Sequence, residues 1–470
     1  MNIDHKFKKK INNCVVRIIA EDISINWKLP YLYEQPNKGQ GTGFFIDIEG
    51  HILTCAHVVN SAKNVYIEIP SLTSEKIHCK IIGICPNFDI ALLKTIDYKP
   101  KEFLKLGDSE KLNVGNKVQV VGYPVSSTSS SRNVNNIKYT EGIIKGQSSD
   151  LIETDSAINP GNSGGPMFCN KEVIGINSKK LTGKSLESIG YAVPINYYKV
   201  IKDDFIHKII YRPSLLFDFN NTNEKILKEL TNGKLNKGII ISKLFKGSLL
   251  KKAGLSSNSI ITEINNYKID NYGLINYKWL DANLTIYNLL NRFKNTEEIE
   301  IKYFDIKTEK FEKVKIKLEP LKIPSRKMYN IFEKIDYIIF GGMVFMNLCY
   351  NNSFNQGDPI IKLLNITLNN ETKLNKNLVV SFVFPNSTVN ILNNITENCI
   401  IKKVNEINVN SVSSLRKALK FPIIINKKKY IKIESDNGRS VILLLKDIID
   451  EDIELSKTYN FPLSKFHKNI

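Results

Sequence analysis

Short apolar runs that alternate with polar positions recur over 14–20, 43–59, 65–69, 77–84, 90–95, 117–123, 138–144, 150–153, 172–177 and 190–194. Alternation with a period of two, interrupted by Gly, Asn, Ser and Pro, predicts short strands with one buried face. A series this regular predicts a pair of small β-barrels. Inside the second barrel, residues 126–136 are rich in Ser and Asn and read as a mobile loop. At 195–210 the apolar spacing turns helical, which predicts a linking helix that closes the region.

From about residue 212 the grammar changes. A glycine-led strand at 237–242 precedes a short helix ending at Gly254 and a strand at 260–264 that stops in an Asn265-Asn266 turn. The same order returns at 378–383, 399–407 and a helix over 411–419, without the Ala-Gly turn. The length, 470 residues with 42% hydrophobic, suits two or three domains. We expect a mainly β chain: a double β-barrel at 1–210, an α+β module at 211–325, a degenerate second module at 326–456 and a tail at 457–470.

Three segments carry candidate chemistry. Ser163 stands in Asn159-Pro160-Gly161-Asn162-Ser163-Gly164-Gly165-Pro166, where glycines let the backbone expose a hydroxyl beside bare amides. An apolar strand at 41–46, a turn at Gly50 and a second strand within Ile52–Val59 would deliver His57 at the strand's end, and Asp89 enters the apolar strand Ile90–Leu93. A serine hydroxyl needs a base to take its proton, and the base needs a carboxylate to fix its tautomer. His57, Asp89 and Ser163 fit those roles, in the chain order of chymotrypsin-type double barrels. The amides of Gly161 and Ser163, helped by Asn162, would hold an oxyanion. Ile158, Asn159 and the strand Ile189, Gly190, Tyr191, Ala192 would line a specificity pocket without charge, which predicts cleavage after small aliphatic residues. Asp155 is read as a structural residue of its strand.

At these residues the chain resembles the HtrA/Deg (protease Do) family of serine proteases. The matching segments are Ala56-His57-Val58-Val59, Asp89-Ile90-Ala91-Leu92-Leu93, Thr154–Asn159 running into Gly161–Pro166, and Ile189–Pro194. Thr42, Cys55 and Pro160 depart from the family pattern, and Pro160 removes one donor near the oxyanion loop. The resemblance implies a chymotrypsin-like double β-barrel followed by two PDZ-like domains, a homotrimer or hexamer, and ATP-independent cleavage of unfolded or damaged proteins. Asn26–Tyr33 and Phe340–Met346 resemble segments of the plant-type Deg branch. The stretch from Gly238 through Ala253-Gly254 resembles a PDZ domain, so Gly238, Ile239, Ile240 and Ile241 are the candidate strand for capturing peptide C-termini. The second module reads as structural rather than peptide-reading.

Charge and cysteines narrow the partners. The net charge of +19 is spread over the whole chain, with short clusters at Lys8–Lys10, Lys251-Lys252 and Lys427–Lys429, so no specific nucleic acid is expected. The basic start lacks an apolar core before Arg17, and no apolar run approaches the ~18 residues of a membrane span. The expected location is intracellular. Seven scattered cysteines without a CxxC pair disfavour disulfides and zinc, and no cofactor or metal is expected. Cys55, two residues before His57, is read as a small core residue. His5, His51, His78, His207 and His467 show no partner pattern and default to surface or structural roles. The rival reading is a non-catalytic peptide-binding scaffold.

Overall fold

The computed structural model describes residues 4–72, 75–124, 137–181, 189–355, 358–464 and 467; the loop expected at 126–136 lies outside them. The chain divides into two compact units, one of residues 1–22 and 37–321 and one of residues 23–36 and 322–470.

The first unit opens with α1 (His5–Cys14), which Asp4 caps by accepting from the Phe7 amide at 2.7 Å. Strands β1 (Val15–Asp22), β2 (Asn37–Phe45), β3 (His51–Thr54), β4 (Ala62–Glu68), β5 (Ile77–Cys85) and β6 (Ile90–Thr95) close a barrel in the order β1-β2-β3-β6-β5-β4. A second barrel of β7 (Lys117–Gly122), β8 (Lys138–Ser148), β9 (Leu151–Thr154), β10 (Pro166–Cys169), β11 (Glu172–Leu181) and β12 (Ile189–Pro194) closes as β10-β11-β12-β9-β8-β7. Phe44, Leu53 and Leu92 of the first barrel share one core with Val121, Phe168 and Val193 of the second. That shared core fixes the seam along which the site lies.

Two expectations shift here. The strand, turn and strand expected over 41–59 are the end of β2 and β3, but the chain then forms a short helix α2 (Ala56–Val59), so His57 sits on a helix rather than at a strand end. The helix expected over 195–210 is α3 (Ile195–Ile201), tightened into a 3₁₀ turn through Ile206. Beyond it the chain is extended because Ile84 donates to the Lys208 carbonyl and accepts from the Ile210 amide.

The remainder of this unit is a sheet of β13 (Phe217–Asn220), β14 (Ile239–Leu244), β15 (Ser259–Ile264), β16 (Tyr267–Lys268), β19 (Glu298–Asp305) and β20 (Lys310–Lys317), in the order β13-β14-β15-β19-β20 with β16 beside β15. A hairpin, β17 (Leu274–Trp279) with β18 (Ala282–Thr285), and the helices α4 (Glu224–Leu230), α5 (Leu249–Lys252) and α6 (Ile286–Leu290) cover it. Its core runs without a break into that of the second barrel. Trp279 Nε1 donates to the Ser109 carbonyl at 2.9 Å, and Arg292 pairs with Asp150 at 2.9 Å and with Glu110 at 3.2 Å. The boundary expected at 210/211 therefore separates two folding patterns that share one core.

The second unit repeats the α+β plan. Strands β21 (Tyr337–Phe340), β22 (Met343–Asn347), β25 (Leu378–Val383), β26 (Ile400–Val404), β28 (Ile423–Ile425) and β29 (Lys428–Ser435) lie in the order β21-β22-β25-β26-β29-β28, with β27 (Ile407–Asn408) on β26 and β30 (Ser440–Leu444) on β29. A small ribbon, β23 (Phe354–Asn355) with β24 (Asp358–Pro359), and α7 (Ile361–Leu368), α8 (Thr388–Leu392), α9 (Val412–Ala418) and α10 (Leu445–Tyr459) complete it. The expected tail at 457–470 is corrected. Helix α10 runs through the boundary, and Phe461 is buried against Phe384 with ring centroids 5.0 Å apart.

Residues 23–36, which join β1 to β2, belong to this second unit. Trp27 packs beside Met346 and Val379, and Leu29 and Tyr31 beside Val344 and Phe384. Ser381 donates to the Lys28 carbonyl at 2.9 Å, and Lys28 reaches Glu397 at 2.7 Å. The aromatic segment Asn26–Tyr33 is thus a strap on the second module's sheet. Among the described residues no helix is long and apolar enough to cross a membrane.

Candidate active site

The site is assembled from four separated segments along the barrel seam. Helix α2 presents His57, whose amide and Nδ1 both donate to Asp89, at 2.9 Å to Oδ1 and 2.7 Å to Oδ2. Asp89 takes a left-handed backbone, φ +56°, which an aspartate tolerates better than most residues. Its carbonyl accepts from the Ala56 amide at 3.0 Å, so backbone and side chain both grip α2. Burial works to raise the Asp89 pKa, but the hydrogen bonds and charge of His57, with a bond from Ser178, hold it below the usual carboxylate range. The carboxylate stays ionised and keeps the His57 proton on Nδ1, which leaves Nε2 as the basic nitrogen.

Ser163 lies between Gly161, at φ +96°, and Gly164, at φ +86°. Asn162 donates to the Asn159 carbonyl at 2.9 Å, closing a turn with Pro160 second and Gly161 third. Proline followed by a glycine at positive φ is the type II form. Pro160 therefore stands where no amide donor is needed, which accounts for the departure noted in the sequence. Among the described residues, the amides of Gly161 and Ser163 donate to no protein acceptor. Asn162 is turned inward and buried, its Oδ1 in the space a Gly122 side chain would fill, so it faces the second barrel and not an oxyanion.

Several polar residues that sequence reasoning missed hold this loop. Thr42 donates from Oγ1 to the Gly161 carbonyl at 2.7 Å, accepts from the Tyr123 amide at 2.9 Å, and donates from its own amide to the Ser163 carbonyl at 2.8 Å. Ser178 on β11 accepts from Ser163 Oγ at 2.9 Å through its carbonyl and donates from its hydroxyl to Asp89 at 2.7 Å. The Ser163 hydroxyl thus rests on Ser178 rather than on His57. The available signal was Asn177-Ser178, a polar pair inside a buried strand. Cys55 is buried behind the dyad, its thiol donating to the Asn177 carbonyl at 3.2 Å. Burial first, then the Asp89 charge, pushes that thiol well above the usual range.

The expected specificity residues are only partly brought together. Ile158 is buried over Gly190, where an added Cβ would meet it at 3.0 Å. Ala192 is buried in the barrel core opposite Ile152, and Tyr191 is buried too, leaving Asn159 and Ile189 accessible. Ile158 fills the space it was expected to line. Asp155 accepts from the Ile143 amide at 2.7 Å, a brace between strands.

The strand expected to capture peptides is paired on both sides. Ile239, Ile240 and Ile241 lie on β14, hydrogen-bonded to β15 on one side and β13 on the other, and Gly238 donates to Asn271 at 3.1 Å. Strand addition needs an unpaired edge, which β14 lacks; the edges of this sheet are β13 and β20, and β13 is the one next to β14. Helix α6 flanks it, with Tyr287 donating to the Phe217 carbonyl at 3.3 Å.

Comparison with known proteins agrees with this architecture. A family model described as a trypsin-like peptidase domain matches residues 41–176, and one described as a PDZ domain matches residues 326–465. The chain thus carries one region that matches a trypsin-like peptidase domain and one that matches a PDZ domain. Its sequence relatives include proteins named as HtrA and DegP-like serine proteases. It is 31% identical over 261 residues to "Serine protease Do-like HtrA" of Bacillus subtilis, covering 50% of this chain and 56% of that protein. It is 32% identical over 251 residues to "Probable periplasmic serine endoprotease DegP-like" of Chlamydia trachomatis, covering 50% and 48%. The chain spans about half the length of the curated relatives it matches. Among solved structures, "HtrA-type protease AlgW with decapeptide" aligns with TM-score 0.50 at 20% identity, over 68% of this chain and 100% of that one. That likeness is one of fold.

Proposed function

We propose that the chain is an ATP-independent serine endopeptidase of the HtrA/Deg type that cleaves unfolded or damaged proteins. The observation that carries this is the His57–Asp89 dyad beside a glycine-framed Ser163. In the reaction, rotation about the Ser163 Cα–Cβ bond frees Oγ from the Ser178 carbonyl. His57 Nε2 then takes its proton as Oγ attacks the scissile carbonyl, and Asp89 stabilises the imidazolium. The Gly161 and Ser163 amides receive the oxyanion, His57 returns the proton to the leaving amine, and water releases the acyl group by the same route. Small aliphatic side chains before the cut suit the uncharged surface that Asn159 and Ile189 leave accessible. Assembly as a homotrimer or hexamer belongs to the same reading, as does capture of peptide C-termini at β13. The seven cysteines are all free and buried, which fits a reducing, intracellular compartment, although the Chlamydia relative is named periplasmic.

The resting bond from Ser163 to Ser178 favours, as a second reading, a scaffold that binds unfolded chains without cutting them. Incubation with an unfolded casein-type substrate without ATP separates the two. Cleavage is expected from the parent and a loss of at least about a thousandfold from Ser163→Ala. Binding without fragments in both proteins selects the scaffold.

A further inference from the structure

Cys55 is the one reactive group at the site that the proposed chemistry leaves unused. Its sulfur, a ring nitrogen of His57 and a carboxylate oxygen of Asp89 all lie within 4.8 Å of one another, the one such cluster among the described residues. We propose that these three residues form an inhibitory site for a borderline-soft divalent cation of the zinc and cadmium type. A thiolate, an imidazole and a carboxylate suit Zn²⁺ or Cd²⁺, with water in the fourth position; Mg²⁺ and Ca²⁺ disfavour sulfur.

Tetrahedral bonds of about 2.0–2.3 Å put ligand atoms roughly 3.4–3.7 Å apart, inside the 4.8 Å bound on the cluster, and the 2.7 Å His57 Nδ1–Asp89 Oδ2 hydrogen bond opens if both of those atoms become ligands. The His57 side chain is 44% exposed and Asp89 20%, which supplies both an entry path and a ring free to adjust. Ser178, donating to Asp89 at 2.7 Å, orients the carboxylate from behind. Charge balances as well: thiolate and carboxylate together neutralise the cation. The Cys55 proton leaves to solvent, and if Nδ1 becomes the ligand its proton is replaced by one on Nε2. Nε2 is then a donor and cannot accept from Ser163; if Nε2 itself binds the cation, the base is blocked directly. Spacing along the chain hides this site, since its ligands come from separate segments and form no CxxC.

Binding and inhibition are tested separately. In Ser163→Ala protein, titration with CdCl₂ is followed by the ultraviolet thiolate-to-cadmium band, and Zn²⁺ by equilibrium dialysis. One equivalent is expected, weakened at least tenfold by adding Cys55→Ala. Cys55→Ser serves as a second variant should alanine destabilise the fold. In the parent, ZnCl₂ is expected to stop casein cleavage, a chelator to restore it, and MgCl₂ to do neither. Cys55→Ala should need at least tenfold more Zn²⁺, each protein being referred to its own chelator-treated rate. An unchanged cadmium band in both Cys55 variants, no band in the parent, or equal zinc sensitivity in parent and variant overturns the site. The inhibitory role rests on the protease reading but the binding does not: a Cys55-dependent band in a protein that never cleaves casein keeps the metal site and removes the protease.

Discussion

The two α+β modules share a strand order and differ in what lies on the outer edge. In the first, β13 has one hydrogen-bonded neighbour, β14, and α6 beside its free edge. In the second, the corresponding strand β22 has neighbours on both sides, because β21 folds back on it through Gly341-Gly342. The amides of that turn donate to Asp452 on α10, at 2.8 Å from Gly341 and 2.9 Å from Gly342. Both glycines have positive φ, which lets successive amides converge on one anion. Asp452 is fully buried and accepts from His467 at 2.7 Å, with Ser464 2.8 Å from the other ring nitrogen. An extended segment on the edge and a carboxylate on the amides are what a PDZ domain takes from a peptide. The second module meets both needs from its own chain. Equal topology therefore comes with unequal access to the edge, and the proposed difference in recognition rests on that cover.

The largest way to break this comparison is Asp452→Ala. It strips a buried carboxylate from two amides and a histidine, and should cost about 3–5 kcal/mol in denaturant unfolding of the second unit. Asp452→Asn, isosteric but with fewer acceptor sites, should cost about 1–3 kcal/mol. Either variant gaining affinity for apolar C-terminal peptides would show that the carboxylate, more than β21, closes the module.

A second test concerns how the first module is fastened to the barrels. Burial pushes the Asp150 carboxyl up to about 6, Arg292 offsetting only part of that. An unfolded aspartate titrates near 3.8, so between about pH 4 and 6 the folded state keeps a proton that the unfolded state has lost. Stability should fall as pH rises through that window, by on the order of 3 kcal/mol, and level off above it. Asp150→Asn should flatten the slope. A slope that survives the substitution assigns the titration elsewhere.

Hydrogen exchange on the full chain sharpens the comparison further. An apolar C-terminal peptide should slow exchange at Phe217–Asn220 and leave Met343–Asn347 unchanged; protection confined to β22 reverses the assignment. The smallest effect is expected from Tyr287→Phe. It releases the Phe217 carbonyl for a peptide amide and should tighten peptide binding by roughly two- to tenfold, the range of one hydrogen bond. Weaker binding would make Tyr287 a contact and not a cap.

The sequence by itself determined the two barrels, the grammar of both modules and the residues His57, Asp89 and Ser163, because alternation, glycine framing and chain order are local patterns. Pairing was not legible. Ile239–Ile241 reads like a capture strand, yet whether a strand has a free edge depends on neighbours from other parts of the chain. Ile158 reads like a pocket wall, yet register buries it over Gly190. Gly341-Gly342 became interpretable only when Asp452, from more than a hundred residues away, was seen on its amides. Tertiary structure also decided that Ser163 rests on Ser178, that Thr42 braces the Gly161–Ser163 loop, that 23–36 packs with the second module, and that Cys55 stands behind the dyad. Each is a contact between distant segments, selected by burial and by the need of buried polar groups for partners, and neither requirement leaves a periodic trace along the chain.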